Sequence, residues 1–134
     1  MFLEIKNTTI GYQKPVISEV NASLDFGDVC LLIGNNGVGK TTLIKSILNQ
    51  ISLLQGDILI NKKNVIKLTD KEIAEQIAVV FAKSKIPANY TTEDLISLGK
   101  FIHLPYYYQL EKEDLEDVNN IISQRSEERR VGKE

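Results

Sequence analysis

Gly34-Asn35-Asn36-Gly37-Val38-Gly39-Lys40-Thr41-Thr42 follows directly on the apolar run Val29-Cys30-Leu31-Leu32-Ile33 and precedes a stretch of helical periodicity. It satisfies G-x-x-x-x-G-K-[ST], a loop that cradles phosphate. A polyphosphate brings several negative charges, and holding them takes donors that are already oriented and unobstructed. Gly34 lets the chain turn off the preceding segment, while Gly37 and Gly39 permit the left-handed or close-approach backbone in which successive N–H groups share one concavity. The following helix aims its positive end at the same place. All residues from Gly34 to Thr42 are therefore candidate nucleotide ligands. Lys40 is the candidate charge stabiliser at the β- and γ-phosphates, and Thr41 the candidate Mg²⁺ ligand. The plainer alternative, a Gly-rich turn that happens to contain Lys-Thr, leaves the order of strand, loop and helix unexplained.

Outward from the loop, Leu43, Ile44, Ile47, Leu48 and Ile51 recur at helical spacing and predict a helix from Lys40 to Asn49 or Gln50. Upstream, Phe2 to Lys6 and Val20 to Phe26 alternate as half-buried strands joined through Gly11 to Pro15. Gly27-Asp28 then turns into Val29 to Ile33, whose continuous apolarity predicts a strand buried on both faces. Cys30 inside that run reads as a small buried hydrophobe. Downstream, Leu53 to Asp57 reads as loop and turn, Ile58 and Ile60 as a strand closed by Asn61 to Asn64. Thr69 with Glu72 forms a capping-box pair opening a helix from Asp70 to Glu75. Ile77 to Phe81 predicts a second buried strand. Thr91 or Thr92 caps the next helix, in which Leu95, Ile96 and Leu98 pack and which Gly99 ends. A last helix runs from Lys112 to Ser123 with Leu115, Val118, Ile121 and Ile122 on one face.

The 134 residues, 43% hydrophobic and 25% charged, have the composition of one soluble globular domain. A net charge of −2 offers no basic footprint, which argues against nucleic acid as a partner. No apolar run approaches the ~20 residues of a membrane-spanning helix, and the alternating N-terminus lacks a secretory signal. The reading is cytoplasmic.

All three arginines, Arg125, Arg129 and Arg130, fall near the C-terminus, whereas residues 1–124 use lysine alone and are rich in Ile and Asn. Lys, Ile and Asn have A/T-rich codons, so the body reads as the product of an A/T-rich gene and the end as coming from elsewhere. Arg125 to Glu134 resembles the in-frame translation of a DNA-sequencing adapter. The expectation is that residues 1–124 are the N-terminal portion of a longer gene product and that 125–134 is a non-native tail. A charged, disordered tail is the alternative.

Many phosphate-loop proteins share the loop, so its flanks choose among them. Tyr12, in Ile10-Gly11-Tyr12, precedes the loop across an intervening strand. Val16 to Leu24 leads into Gly27-Asp28, and Gln55-Gly56-Asp57-Ile58 forms a turn before a strand. Together these resemble the ATP-binding cassette family, in which an aromatic at the position of Tyr12 stacks on adenine. Thr91-Thr92-Glu93-Asp94-Leu95-Ile96-Ser97-Leu98-Gly99-Lys100 and Asp114-Leu115-Glu116-Asp117-Val118 resemble the helical subdomain of importers of iron-siderophore, haem and cobalamin complexes. The resemblance covers residues 1–124. It implies an α/β fold: a RecA-like P-loop NTPase core with an N-terminal antiparallel β subdomain and the start of an α-helical subdomain from about residue 84, truncated.

The resemblance further implies ATP and Mg²⁺ as cofactors, transmembrane permease subunits and a second ATP-binding cassette as partners, and a place on the inner face of the membrane through the permease. It implies ATPase activity driving import of a substrate such as an iron complex. Two departures matter. Where the family places a glutamine after the strand corresponding to Ile77 to Phe81, this chain has Ala82, followed by Lys83 and Ser84. Alanine has nothing to donate or accept, so Ser84 substitutes or the coupling differs. The family's signature loop, catalytic glutamate and switch histidine have no counterpart here, so the chain alone is expected to hydrolyse ATP poorly or not at all. His103 reads as a packing or surface histidine, and Glu111, Glu113 and Asp114 as carboxylates at a helix start. The competing readings are another P-loop protein, such as a nucleotide kinase or GTPase, and a nucleotide-binding regulatory module without hydrolysis. Tyr12 and the antiparallel strands ahead of the loop speak against the first.

Overall fold

The computed structural model describes residues 1–82, 89–104 and 109–131. The chain separates into two compact units, Met1–Gln76 and Ile77–Glu134.

The first unit is built on β1 (Leu3–Gly11), β2 (Pro15–Leu24), β3 (Leu53–Ile60) and the two-residue β4 (Lys63–Asn64), antiparallel in the order β2-β1-β3-β4. Helix α1 (Lys40–Ile47) lies against β1. Leu3, Ile5, Ile10, Ile58, Ile60 and Val65 form the centre of its core. Asn61 and Lys62 join β3 to β4 with φ of 48° and 66°, the left-handed pair that a two-residue hairpin turn needs to match strand twist.

β1 does not keep a strict alternation. Leu3 and Ile5 point inward, and then Thr8 and Ile10 do, a step of three in place of two. Pairing registers the same extra residue against both neighbours: Ile5↔Ala22 is followed by Thr8↔Val20, and Lys6↔Asp57 by Thr9↔Gln55. The inserted residue is Asn7, at φ 45°. This β-bulge keeps Ile10 on the core face, because a one-residue slip would turn it outward. Glu19 at φ 56° supplies a compensating extra residue in β2.

These bulges explain where the strands exceed the expectation from sequence. Alternation lapses at Asn7, so β1 reads as ending at Lys6, yet the bulge restores its phase and the strand continues to Gly11. β2 likewise begins at Pro15, not Val20. Gly56 reads as a turn residue but lies inside β3 at φ 81°. A Cβ there would stand 2.4 Å from Asn7 O and 2.5 Å from Lys6 O, so Gly56 is what lets β1 and β3 close at the bulge.

Val29 to Ile33 is not a strand. No element among the described residues pairs with it, and Val29, Leu31 and Ile33 are 98%, 80% and 80% exposed. Cys30 is a free, exposed thiol and not a buried hydrophobe. Ile77 to Phe81 is likewise without strand structure, with Val80 96% exposed. A strand exists only through its ladder, and apolar composition without a neighbouring strand does not make one.

Unit one closes with a 3₁₀ turn at Val65–Lys67 and helix α2 (Asp70–Ala74), which opens on the expected capping box. Thr69 N–H donates to Glu72 Oε2 at 2.8 Å and Glu72 N–H donates back to Thr69 Oγ1 at 3.3 Å. In the second unit, α3 (Thr92–Ser97) opens on the same arrangement between Thr91 and Asp94, at 2.8 and 3.1 Å. Helix α4 (Lys112–Val131) packs on α3, and its Val118 is buried, 1% exposed. Ser97 is buried where Leu95 and Leu98, expected to pack, are exposed, so α3 is turned relative to the expected face. Lys100 Nζ donates to Asp117 and lies 3.4 Å from Asp114, tying the end of α3 to α4. Of the segment 125–134, the last three residues lie outside those described.

Candidate functional site

The loop Gly34 to Thr42 lies in the first unit, between the exposed run 29–33 and α1. Its two demanding positions are Gly37 and Gly39, at φ 83° and 104°, where a side chain would be strained. Gly39 is the residue before the helix, and its carbonyl accepts the helix-opening bond from Leu43 N–H at 2.9 Å. Val38 N–H donates to Asn35 O at 3.4 Å, closing the turn between them. The loop folds tightly on itself: a Cβ at Gly34 would stand 2.9 Å from Val38 Cγ1.

Lys40 is the first residue of α1, and its ammonium returns to the loop. Nζ donates to Gly34 O and, at 2.7 Å, to Asn35 O. The charge is thereby held over the loop and not extended into solvent. No acidic residue occupies the first turn of α1, and Lys45 stands in its last. The helix's own first turn therefore leaves its positive end without an acidic residue, a field suited to an anion. Thr41 is exposed and Thr42 half-buried at the same turn. The carbonyl of Thr42 accepts from the buried Ser46 Oγ at 3.0 Å, so that turn is braced from the core side.

Tyr12 lies in the bend between β1 and β2 and is 66% exposed. The bend is tight, since a Cβ on Gly11 would stand 2.0 Å from Lys14 O. The hairpin and the loop meet directly. A Cβ on Gly39 would fall 2.7 Å from Val16 Cγ1 and 2.9 Å from Ile17 Cδ1, at the start of β2. The sequence marks Val16 and Ile17 only as part of a strand. Their role as the seat of the loop had no local signal beyond their place just after Tyr12.

The other candidates belong to the second unit. Ala82 is an exposed bend residue in the second unit, and Lys83 and Ser84 lie outside the described residues. His103 is exposed in a 3₁₀ turn at Phe101–His103, which fits a surface histidine. Glu113 and Asp114 occupy the first turn of α4, and Asp114 Oδ2 accepts from Glu111 N–H at 3.1 Å, a helix-start arrangement. Among the described residues no group of His, Cys, Asp or Glu could hold a metal, and no helix is long and apolar enough to cross a membrane.

Comparison with known proteins places this geometry in a family. The family model described as "ABC transporter" matches residues 17–133. The petrobactin import ATP-binding protein of Bacillus anthracis is 30% identical over 122 residues, covering 90% of this chain and 45% of that protein. The iron(3+)-hydroxamate import ATP-binding protein of Bacillus subtilis is 30% identical over 113 residues, covering 84% and 42% respectively. A solved ATP-binding subunit of an ABC transporter superposes with a TM-score of 0.70 at 27% identity, over 84% of this chain and 45% of that one. The chain thus spans under half the length of each of these relatives.

Proposed function

Because the chain belongs to the ABC transporter family, whose ATP-binding subunits are ATPases, we propose that it binds MgATP through the loop Gly34 to Thr42 and that Tyr12 takes the adenine face. The observation that supports this reading is the seating of Gly39 on Val16 and Ile17, at the start of the strand that follows Tyr12. A base on one side and a polyphosphate on the other is the shape of a nucleoside triphosphate.

The residues present suit the group. Gly37 has nothing within 4 Å of where a Cβ would be, so the loop is open on that side. Its left-handed backbone and the α1 first turn without an acidic residue favour an anion. The Thr41 hydroxyl would give Mg²⁺ a single protein oxygen, with phosphate oxygens and water completing the shell, as is usual for this ion. Bound MgATP supplies the chemistry, an in-line transfer of its γ-phosphoryl to water. The part of this chain is to position and neutralise. Lys40, whose ammonium lies on Gly34 O and Asn35 O, would be the residue to neutralise phosphate charge, and Tyr12 would hold the base.

We further propose that the subunit works as a dimer of cassettes beneath transmembrane permease subunits, on the inner face of the membrane, and that the cargo is an iron complex. The names of the petrobactin and iron(3+)-hydroxamate import proteins support that cargo. Turnover by these 134 residues alone is expected to be slow, since the site described holds no carboxylate to activate water.

Titration calorimetry with MgATP and MgGTP tests the reading. Lys40→Ala is expected to weaken both nucleotides by about tenfold or more, and Tyr12→Ala to weaken ATP by a similar factor while leaving inorganic tripolyphosphate unaffected. No binding by the native chain, or equal binding by the Lys40→Ala variant, would overturn it.

A further inference from the structure

We propose that Asn36-Gly37 is a self-modification site, at which the phosphate loop, when no nucleotide is bound, loses the Asn36 carboxamide as ammonia and gains a carboxylate. The chemical step depends on the loop alone, and its consequence for nucleotide rests on the reading above. Asn-Gly occurs once in the chain. Asparagine is thermolabile because the next residue's backbone nitrogen can reach its side-chain carbonyl carbon, and a glycine there leaves the approach unobstructed. At Gly37 φ is 83° and nothing lies within 4 Å of where a Cβ would be. Asn36 is exposed, and among the described residues neither its carboxamide nor the Gly37 N–H has a hydrogen-bond partner. The bond that closes this turn, from Val38 N–H to Asn35 O, is long at 3.4 Å, so it resists little as the backbone rotates toward ring closure. Other asparagines lack this combination. Asn21 is tied to Asn7 N–H and Glu19 O, Asn61 to Gln76, and Asn64 to Asp57 and Ile66 N–H. Each of the three is followed by a residue that carries a Cβ.

In the step itself the Gly37 nitrogen gives up its proton to solvent and attacks Asn36 Cγ. The Cγ–Nδ2 bond breaks, and the departing nitrogen takes a proton from solvent and leaves as ammonia. Water then opens the cyclic imide at either carbonyl, giving aspartate or, with the main chain rerouted through Cγ, isoaspartate. The net change is water in and ammonia out. Either product sets a negative charge about one peptide unit from Lys40 Nζ, which lies 2.7 Å from Asn35 O. A carboxylate there takes up the charge of the lysine and repels phosphate. Bound nucleotide opposes the chemistry, because phosphate oxygens accept from the loop N–H groups and a nitrogen so held is not free to attack. A loop that cycles with nucleotide is preserved, and one left without it disables itself.

The full chain is incubated at mildly alkaline pH with and without MgATP, and peptide mass spectrometry follows the exchange of NH₂ for OH at each asparagine. Asn36 is expected to convert at least about tenfold faster than Asn21 or Asn64, and Gly37→Ala or saturating MgATP should each slow it by about tenfold. Calorimetry should show MgATP affinity falling with conversion, by about tenfold or more at completion, a loss that freshly prepared Asn36→Asp reproduces. Asn36→Ala, whatever its starting affinity, should keep it through the incubation. The inference is overturned if Asn36 converts no faster than Asn21 and Asn64, if bound MgATP leaves its rate unchanged, or if Asn36→Ala loses affinity with time as the native chain does. Should Gly37→Ala fail to fold, the comparison among asparagines decides. A native chain that converts at Asn36 but binds no MgATP beforehand sinks the nucleotide reading and leaves the modification site standing.

Discussion

Gly39 rests on Val16: the nearest methyl of the valine lies 2.7 Å from where a glycine Cβ would be. The contact joins the residue before α1 to the start of β2, and the position is left-handed as well, at φ 104°. Gly37 shares the left-handed backbone at φ 83° but has open space beside it. The pair separates strain from collision.

Gly37→Ala should therefore cost only backbone strain, of order 1–3 kcal/mol. Gly39→Ala should cost more, because Val16 and Ile17 must also move, and it should weaken MgATP by at least about tenfold beyond Gly37→Ala. Urea denaturation and calorimetry on both variants check this, and equal behaviour would mean that the hairpin does not seat the loop.

The two capping boxes predict an acid sensitivity. Bonds from the Thr91 hydroxyl and backbone hold the Asp94 carboxyl below its ordinary value, and bonds from the Thr69 backbone and hydroxyl do the same for Glu72. A carboxylate favoured as the anion in the folded helix stabilises it above the unfolded-state value of about 4, and that contribution is lost as pH falls through the lowered one. Helical circular dichroism should fall off below about pH 4, and Thr91→Ala, costing about 1 kcal/mol, should flatten the change.

Lys100 predicts the opposite limb. Its bond to Asp117, with Asp114 close by, raises the ammonium above the ordinary lysine value. Its contribution is complete below about pH 10.4 and is lost as pH rises through the raised value. Lys100→Met should abolish the alkaline loss of α3–α4 helicity. Unchanged alkaline behaviour in that variant would mean that the bridge is solvated.

The exposed run 29–33 predicts self-association. Val29, Leu31 and Ile33 present apolar surface with no partner among the described residues of their unit. Surface of that kind drives association and dye binding. Val29→Lys with Ile33→Glu should shift the chain toward monomer in sedimentation and lower its binding of hydrophobic dye. A monomeric native chain would contradict the prediction.

How much of this was legible in the sequence differs from segment to segment. The phosphate loop, α1 and the Thr69–Glu72 box were readable because their signals are local: fixed glycines, a 3.6-residue period, a Thr three positions before a Glu. β1 reads short in the sequence because the alternation rule has no term for an inserted residue, although the step from Ile5 to Thr8 and Ile10 records it. Gly56 reads as a turn because glycine signals conformational freedom without saying whether a turn or a neighbouring strand uses it. The runs 29–33 and 77–81 read as strands because apolarity favours burial, whereas a strand also needs a partner. The contact of Val16 and Ile17 with Gly39 has no signal in the sequence, since it depends on how the β1–β2 hairpin lies against the loop.

The bulge at Glu19 has one more effect. β2 is the outermost strand of its sheet, and a long regular outer strand invites another chain to pair along it. Pro15, which has no N–H, opens β2, and Glu19, at φ 56°, breaks its line of donors and acceptors. A foreign strand could keep step with β2 for only a few residues on either side. Association of this chain is thereby steered away from ordered fibre growth along the sheet and toward side-chain contact through the apolar run, a kind that dilution and mild detergent should reverse.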